Sequence, residues 1–470
     1  MEELCKNLNH DPLPNRLKKL IGDTFSLGLS QNQLRDLTRL IFEIVRRKKI
    51  SPQEIIADLK KNVPSPKYPG KNKFRALKNI LINYRFPETA KYGRIDSKKI
   101  FLSQLRKPLA NNWQVAEQFK PLKIIVERAA KQSRLLANFQ RKFPDAEVEE
   151  IDYYSRYLTG NKFRVSQLKK PLVFIIKERG DFIKRCPCTK GHLNCGYWIF
   201  NLGFGCPFDC SYCFLQQYSN FPGIILPANI EDFLVSFDKF YRNLKKPTRI
   251  GTGEFSDSLA LDDITEYSQL LIPYFAQKNL LFELKTKSNK ITNLLKLKIS
   301  SPRIIISWSL SPQAIIAGEE KGTASLDLRL EAAKKIQQAG FRVGFHFDPI
   351  IHLEGWEKLY EELINKLYAY LLGPFAWISL GTLRCRRQLK TIAELRFPQS
   401  NIFYGELFLG KDKKLRYPGF IRDEIYRKII KGIRNFDQKT PIYLCMEDKP
   451  TWANQKGLVP TSDVAGSLIA

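Results

Sequence analysis

The sequence predicts an α/β protein: a partial (β/α)6 barrel of the TIM type with parallel strands, preceded by an N-terminal helical region and a small α/β lead-in. Three observations predict it. Six strand-like apolar runs recur between residues 196 and 383: "GYWIFNLG", "TRIGTGEF", "LLFELKT", "RIIISWSL", "FRVGFHFDPII" and "FAWISLGTL". A helix-length segment follows each of the first five, among them "NIEDFLVSFDKFYRNL", "SLDLRLEAAKKIQQAG" and "WEKLYEELINKLYAYL". A strand-helix-strand pattern, "LKIIVE", "RAAKQSRLLANFQRKF" and "AEVEEID", stands before them. Successive β/α units make right-handed crossovers and therefore a parallel sheet. A doubly wound open sheet satisfies the same pattern, and either arrangement gathers reactive groups at the C-terminal strand ends.

Taken in order, residues 1–115 read as a basic helical region. "SQNQLRDLTRLIFEIVRRKK" spaces Leu34, Leu37, Leu40, Ile41, Ile44 and Val45 at helical intervals. Ser51 and Pro52 supply a cap and first helical position for "SPQEIIADLKK", and "NKFRALKNILINYRF" reads as a third helix. "VPSPKYPGK" between them is a loop by its prolines and glycine. These helices either dock on a nucleic-acid backbone or cap the next domain. Residues 122–185 form the lead-in, closing on the strand "PLVFIIKE". Residues 186–450 hold the barrel and a C-terminal extension, and 451–470 read as a flexible tail.

Lysine and arginine outnumber the acids 77 to 47, a formal charge of +30, which makes a polyanion the expected partner. The excess is spread, with 31 basic and 16 acidic residues in the first 150, rather than confined to one amphipathic helix as at a membrane surface. No N-terminal leader and no long uncharged apolar run is legible, so the expectation is a cytoplasmic protein without membrane contact. Nine cysteines, six of them between Cys186 and Cys213, fit metal chemistry in a reducing compartment better than a disulfide framework.

"GFGCPFDCSYCFLQQ" places Cys206, Cys210 and Cys213 in the pattern C-x3-C-x2-C directly after the first barrel strand. Three thiolates there can hold three irons of a [4Fe-4S] cluster and leave the fourth iron open for an exchangeable ligand. Structural zinc normally takes four closed ligands, often as paired C-x2-C knuckles, and fits this spacing poorly.

This pattern, with Tyr212 just before the last cysteine, resembles the radical S-adenosylmethionine (SAM) superfamily. Within it, "CSYCFLQ", "EKGTASLDLRLEAA" (320–333) and "GFHFDPIIHLEGW" (344–356) are similar, in the same order, to stretches of the spore photoproduct lyase family. The resemblance spans about residues 122–450. It implies a [4Fe-4S] cluster on Cys206, Cys210 and Cys213 and SAM on the open iron. It further implies Tyr212 against the adenine, with Ser256, Lys287 and Ser309 as SAM contacts. Glu254, in "GTGE", looks like an element that binds the SAM amino group, or else is a solvent-exposed loop carboxylate. The implied activity is a lyase that repairs a pyrimidine lesion in DNA, with a small electron donor such as flavodoxin or ferredoxin. Two departures stand out. Glu254 occupies the place of the family's hydrogen-donating cysteine, and Phe214 that of a tyrosine after the cluster motif. They leave open a radical SAM enzyme acting on RNA or a peptide, and a non-catalytic iron-sulfur protein that binds nucleic acid.

Other features are less committed. Cys186, Cys188 and Cys195 with His192 are spaced either for zinc or part of a second cluster, or as ordinary packed thiols. His346 and Asp348 share one strand face, as a substrate pair or a core pair. Cys385 is a buried thiol or a substitute hydrogen donor at the barrel mouth. Asp257 and Arg329 suit supporting roles. "RCRRQLK" and "KDKKLRYPGF", with the family-like Arg416 and Tyr417, offer phosphate contacts or a solvated surface.

Overall fold

The computed structural model describes residues 12–62, 70–109, 119–160, 163–180, 182–246 and 248–469. The chain divides into two compact units, Met1–Ala110 with Arg384–Pro418, and Asn111–Leu383 with Gly419–Ala470.

The larger unit carries two main sheets and a two-stranded pair. The lead-in supplies β1 (Lys123–Glu127), β2 (Glu147–Ile151) and β3 (Leu172–Ile176), followed by β4 (Ile183–Arg185) and β5 (Tyr197–Phe200). Then come β6 (Asp209–Cys210), β7 (Ile224–Pro227), β8 (Arg249–Gly251), β9 (Leu281–Thr286), β10 (Ile304–Ser309) and β11 (Glu320–Lys321). After β12 (Arg342–Ile350) and β13 (Ile378–Thr382), three strands belong to the smaller unit: β14 (Arg384–Arg386), β15 (Phe408–Leu409) and β16 (Lys414–Arg416). The chain returns to the larger unit for β17 (Ile442–Leu444).

Strands β5, β8, β9, β10, β12 and β13 are the six apolar runs of the sequence. They lie side by side in that order, each parallel to the next, and curl into a half-barrel. Parallel strands covered on both faces are buried along their whole length, which is why they read as continuous apolar runs. All five residues of β13 are buried, and five of six in β10. The sequence reading did not anticipate β17, a seventh parallel strand at one edge, or β4, antiparallel to β5 at the other. The lead-in strands form a separate parallel sheet whose fourth member, β7, comes from beyond the cysteine loop. After β9 the expected helix is short, Thr292–Lys296.

The stretch read as a flexible tail is instead packed. Its short helices Lys449–Ala453 and Val464–Ile469 bury Trp452, Val464 and Leu468, and Val459 N donates to Ile442 O at 2.9 Å. That bond covers the open edge of β17. Among the described residues, no helix is long and apolar enough to cross a membrane.

The smaller unit begins with α1 (Pro12–Phe25), α2 (Gln31–Lys48), α3 (Pro52–Asn62) and α4 (Gly70–Arg85). Ser30 and Gln33 close a capping box on α2, and Ser51 Oγ accepts from Glu54 N at 3.1 Å, the cap expected for α3. Helix α1 went unread because Pro12 and Pro14 look like loop residues, yet a first helical turn has no N–H bond for proline to break. The loop read in "VPSPKYPGK" lies, over residues 63–69, outside the described residues. The apolar positions of α2 pack with Ile55, Leu59, Leu77 and Leu81, and also with Tyr404 and Phe408. Residues 384–418, which the sequence reading assigned to the barrel, therefore complete the core of the helical unit.

Candidate active site

The cysteine loop leaves the C-terminal end of β5 and is anchored from several sides. Gly203 has φ +102°, and a Cβ there would stand 2.1 Å from Ile225 O, so only glycine fits. Phe204 and Ile225 exchange backbone bonds of 3.1 and 2.9 Å, and Gly205 N donates to Phe255 O at 2.8 Å. The Lys169 ammonium donates to Cys206 O at 2.8 Å and to Phe208 O. Gln216 Nε2 donates to Cys210 O at 3.0 Å and Ser211 O at 3.2 Å, and β6 pairs antiparallel with β11, setting Cys210 opposite Glu320. Lys169 and the β6–β11 pairing were invisible in the sequence because both join residues distant along the chain. The Gln216 staple had a signal, as the last residue of "CSYCFLQ".

The donor set of this loop is three thiols. Burial pushes the Cys206 thiol up to about 11, with Lys169 opposing and Cys213 adding, and burial also raises the Cys210 thiol. Thiols held neutral in this way give up their protons when a metal takes the thiolates. No three His, Cys, Asp or Glu side chains among the described residues converge on a single metal ion. A cubane takes each cysteine on a different iron, so a set of three thiols on one loop suits it, whereas structural zinc takes four ligands. The three cysteines therefore suit a [4Fe-4S] cluster.

Around the loop, the residues singled out for SAM fall into two groups. Lys287 Nζ lies 2.5 Å from Tyr212 Oη and 4.8 Å above its ring, and donates to Glu320 Oε1 at 2.8 Å. Glu320 is fully buried. It also accepts from Tyr212 Oη, from Ser311 Oγ at 3.0 Å and from Arg329 at 2.6 Å. Burial opposes its ionisation, but Lys287 and Arg329 hold it well below the usual carboxylate range. Arg329 also donates to Ser309 O at 2.8 Å, tying the end of β10 to the same hub. Glu320 opened the quoted family-like stretch, but nothing local in the sequence marked it as the hub.

The second group follows β8. Ser256 and Asp257 line a narrow cavity with Cys206 and Thr252. Asp257 accepts from Thr286 Oγ1 at 2.6 Å and Lys287 N at 2.7 Å, fixing the β9 end from which Lys287 projects. Glu254 is not a solvent-exposed carboxylate: its side chain is 13% exposed and pairs with Lys285 at 3.3 Å.

The remaining candidates separate from this site. Cys385 is buried in β14 of the smaller unit, and burial pushes its thiol up to about 12. Leu383, two residues earlier, ends the larger unit, so Cys385 belongs to the helical unit rather than to the barrel unit in which the sequence reading placed it. Cys195 accepts from Arg249 at 3.1 Å, while Cys186 and Cys188 hydrogen-bond to one another, and among the described residues no single-metal set forms with His192. His346 bonds not to Asp348 but to the buried Glu283, at 2.7 Å, which Ser307 also contacts at 2.6 Å. Burial holds the imidazole below its ordinary value, as in a core pair.

A family model described as spore photoproduct lyase matches residues 163–417. The spore photoproduct lyase of Bacillus subtilis (strain 168) is 34% identical over 296 residues, covering 60% of this chain and 84% of that protein. That of Geobacillus sp. (strain Y412MC61) is 28% identical over 211 residues, covering 43% and 60%. Among solved structures, a spore photoproduct lyase complexed with dinucleoside spore photoproduct aligns with TM-score 0.61 at 22% identity, over 69% of this chain and 99% of that one. A mutant lyase with bound AdoMet and the same dinucleoside aligns equally well. At that identity the structural likeness speaks to the half-barrel fold. The family model covers more than half of this chain, including all three cysteines of the loop. The chain belongs to the spore photoproduct lyase family and is a radical SAM enzyme of the lyase type, a class defined by a [4Fe-4S] cluster and SAM.

Proposed function

We propose that this enzyme repairs a pyrimidine lesion in DNA, with Cys206, Cys210 and Cys213 holding the cluster. The observation that carries the reading is the anchored three-thiol loop at the end of β5, in a chain whose relatives are spore photoproduct lyases. When bound, the cluster and SAM supply a one-electron cleavage that ends in abstraction of a hydrogen atom from the substrate. The protein's part is to bind and orient. Tyr212 presents a ring for the adenine. Ser256, Lys287 and Ser309 offer hydroxyls and an ammonium to the zwitterionic methionine end. Glu254 offers a carboxylate to its amino group, and in the present arrangement neutralises Lys285. A flavodoxin or ferredoxin in the cytoplasm is the proposed electron source.

Hydrogen return to the product radical is where this chain departs from its relatives. A carboxylic O–H bond is too strong to serve as a thiol does, and Phe214 has no O–H at all. These two residues favour a second reading, the same chemistry on RNA or a peptide.

The test is anaerobic reconstitution and reduction, then assay of 5'-deoxyadenosine with and without ultraviolet-irradiated DNA. Formation of 5'-deoxyadenosine with restoration of thymine is expected. SAM cleavage without thymine restoration would move the substrate to the second reading, and no SAM cleavage would overturn both.

A further inference from the structure

The positive charge of the chain is concentrated in one unit. Met1–Ala110 with Arg384–Pro418 holds 33 basic and 13 acidic residues, a net of +20 out of the total of +30. The acids are largely drawn inside. Glu43 is buried against Arg39, Arg85 and Lys390, and Glu394 binds Arg39. Glu406 is buried against Arg47, which also binds Glu88, while Asp36 pairs with Lys78 and Asp412 with Arg416. What faces solvent is correspondingly one-sided: eighteen exposed lysines and arginines against four exposed acids among the described residues.

One part of this surface has a definite shape. Ser97, Ile100, Phe101 and Arg387 line a cleft of about 340 Å³ together with the Asp36–Lys78 ion pair, in which the acid is already neutralised, and the Arg387 guanidinium stands 5.7 Å above the Phe101 ring. Lys98 and Lys99, on the short helical turn capped by Asp96, stand exposed beside it. The segments that build the cleft are far apart in sequence, so residues 384–418 bring their arginine to the N-terminal lysines only in the folded unit.

We propose that this unit docks on the phosphate backbone of double-stranded DNA, with Lys98, Lys99 and Arg387 around the Phe101 cleft as its centre. The proposal rests on the reading of DNA as the substrate, and adds a surface for undamaged flanking duplex. A duplex presents about one negative charge per 1.7 Å of axis, a regular array that suits many dispersed cations on one small unit. A membrane surface fits less well, since Tyr92 is the sole strongly exposed large apolar side chain among the unit's described residues. Contacts of this kind give affinity and position without sequence choice.

The test uses the full-length holoenzyme and the triple variant Lys98→Glu, Lys99→Glu, Arg387→Glu. Binding to an undamaged duplex of about 30 base pairs is followed by fluorescence anisotropy across a salt series. The expected result is a fall in affinity of about 10- to 100-fold and a salt slope shallower by about 2 to 3. SAM cleavage with a dinucleoside lesion, which carries no flanking duplex, should be unchanged. The milder glutamine triple should show the same loss at smaller size, with an unshifted melting curve. Reversal of the exposed Lys334 and Lys335, on the larger unit's helix Leu326–Gln338, should leave duplex binding within about twofold. Unchanged affinity and slope in the triple variant would overturn the proposal. So would an equal loss in the Lys334 and Lys335 control, or tighter binding to single-stranded RNA of the same length that the triple variant also loses. Duplex binding is read on undamaged DNA, so failure of the lesion chemistry would not be mistaken for failure of docking.

Discussion

Glu43 in the smaller unit and Glu320 in the larger are both fully buried carboxylates ringed by cations, yet their partners differ in kind. Glu43 accepts from Arg39 at 2.7 Å, Lys390 at 2.6 Å and Arg85 at 2.5 Å, which come from α2, from the helix Arg387–Arg396 and from α4. Those three elements are what the ion cluster holds together. Glu320 gathers Lys287, Tyr212 and Arg329, and two of those three are residues that the family resemblance places against SAM. Burial opposes ionisation of both carboxylates, but the cations hold both well below the usual range. The same electrostatic device thus serves cohesion in one unit, and in the other holds side chains proposed as SAM contacts.

The largest effect follows from breaking the first cluster. Glu43→Ala leaves Arg85 and Lys390 buried without their bonded anion, and Arg39 with Glu394 alone, and should cost about 3–5 kcal/mol of stability. Thermal melting reads that loss, while cluster content and SAM cleavage per folded molecule stay unchanged. Glu320→Gln should show the opposite profile: a smaller stability loss of about 1–3 kcal/mol, with SAM cleavage down at least about tenfold because Lys287 and Tyr212 lose their anchor. If Glu320→Gln melts as low as Glu43→Ala and cleaves SAM normally, the contrast between the two hubs is void.

Acid should act on both hubs with one sign. Each carboxylate is depressed in the folded state, so its contribution is fully present above the unfolded value near 4.3 and is lost as pH falls through the folded value. Glu283, held down to about 2 against burial by His346, Arg249 and Lys285, behaves likewise. Stability measured from pH 5 to 2 should therefore fall steeply in the parent and more gently in Glu43→Gln. Equal slopes would remove Glu43 from the acid transition.

What the sequence made legible follows from the range of the interactions. The six parallel strands could be read because burial on both faces makes each a continuous apolar run, and the cysteine loop because its three thiols fall within eight positions. Ser51 and Pro52 were readable as a helix start for the same local reason. The hubs were not. Glu320 meets Lys287 from 33 positions away, and Glu43 meets Lys390 from 347 away, so no window contains either partnership. The same limit hid the assignment of residues 384–418 to the helical unit and the docking of the C-terminal stretch along β17, although burial of Cys385 was one of the two readings the sequence offered.

Glu254 is the third carboxylate of the comparison and the least encumbered, with a single direct cation, Lys285, at 3.3 Å. Replacing it should therefore cost little. Lys285 retains Glu283 as an electrostatic neighbour, so Glu254→Cys is expected to lower stability by about 1 kcal/mol or less. Its effect belongs to product partition instead. A thiol at this position has the weak S–H bond that the carboxylate lacks, and it stands on the loop after β8 two residues from Ser256, which lines the cavity with Cys206. On a DNA lesion, the ratio of thymine restored to 5'-deoxyadenosine formed should rise in Glu254→Cys, even as loss of the carboxylate offered to the SAM amino group slows SAM cleavage itself. Chromatographic quantification of both products gives the ratio directly. If the ratio stays at the parent value, hydrogen returns to the product from a group other than residue 254.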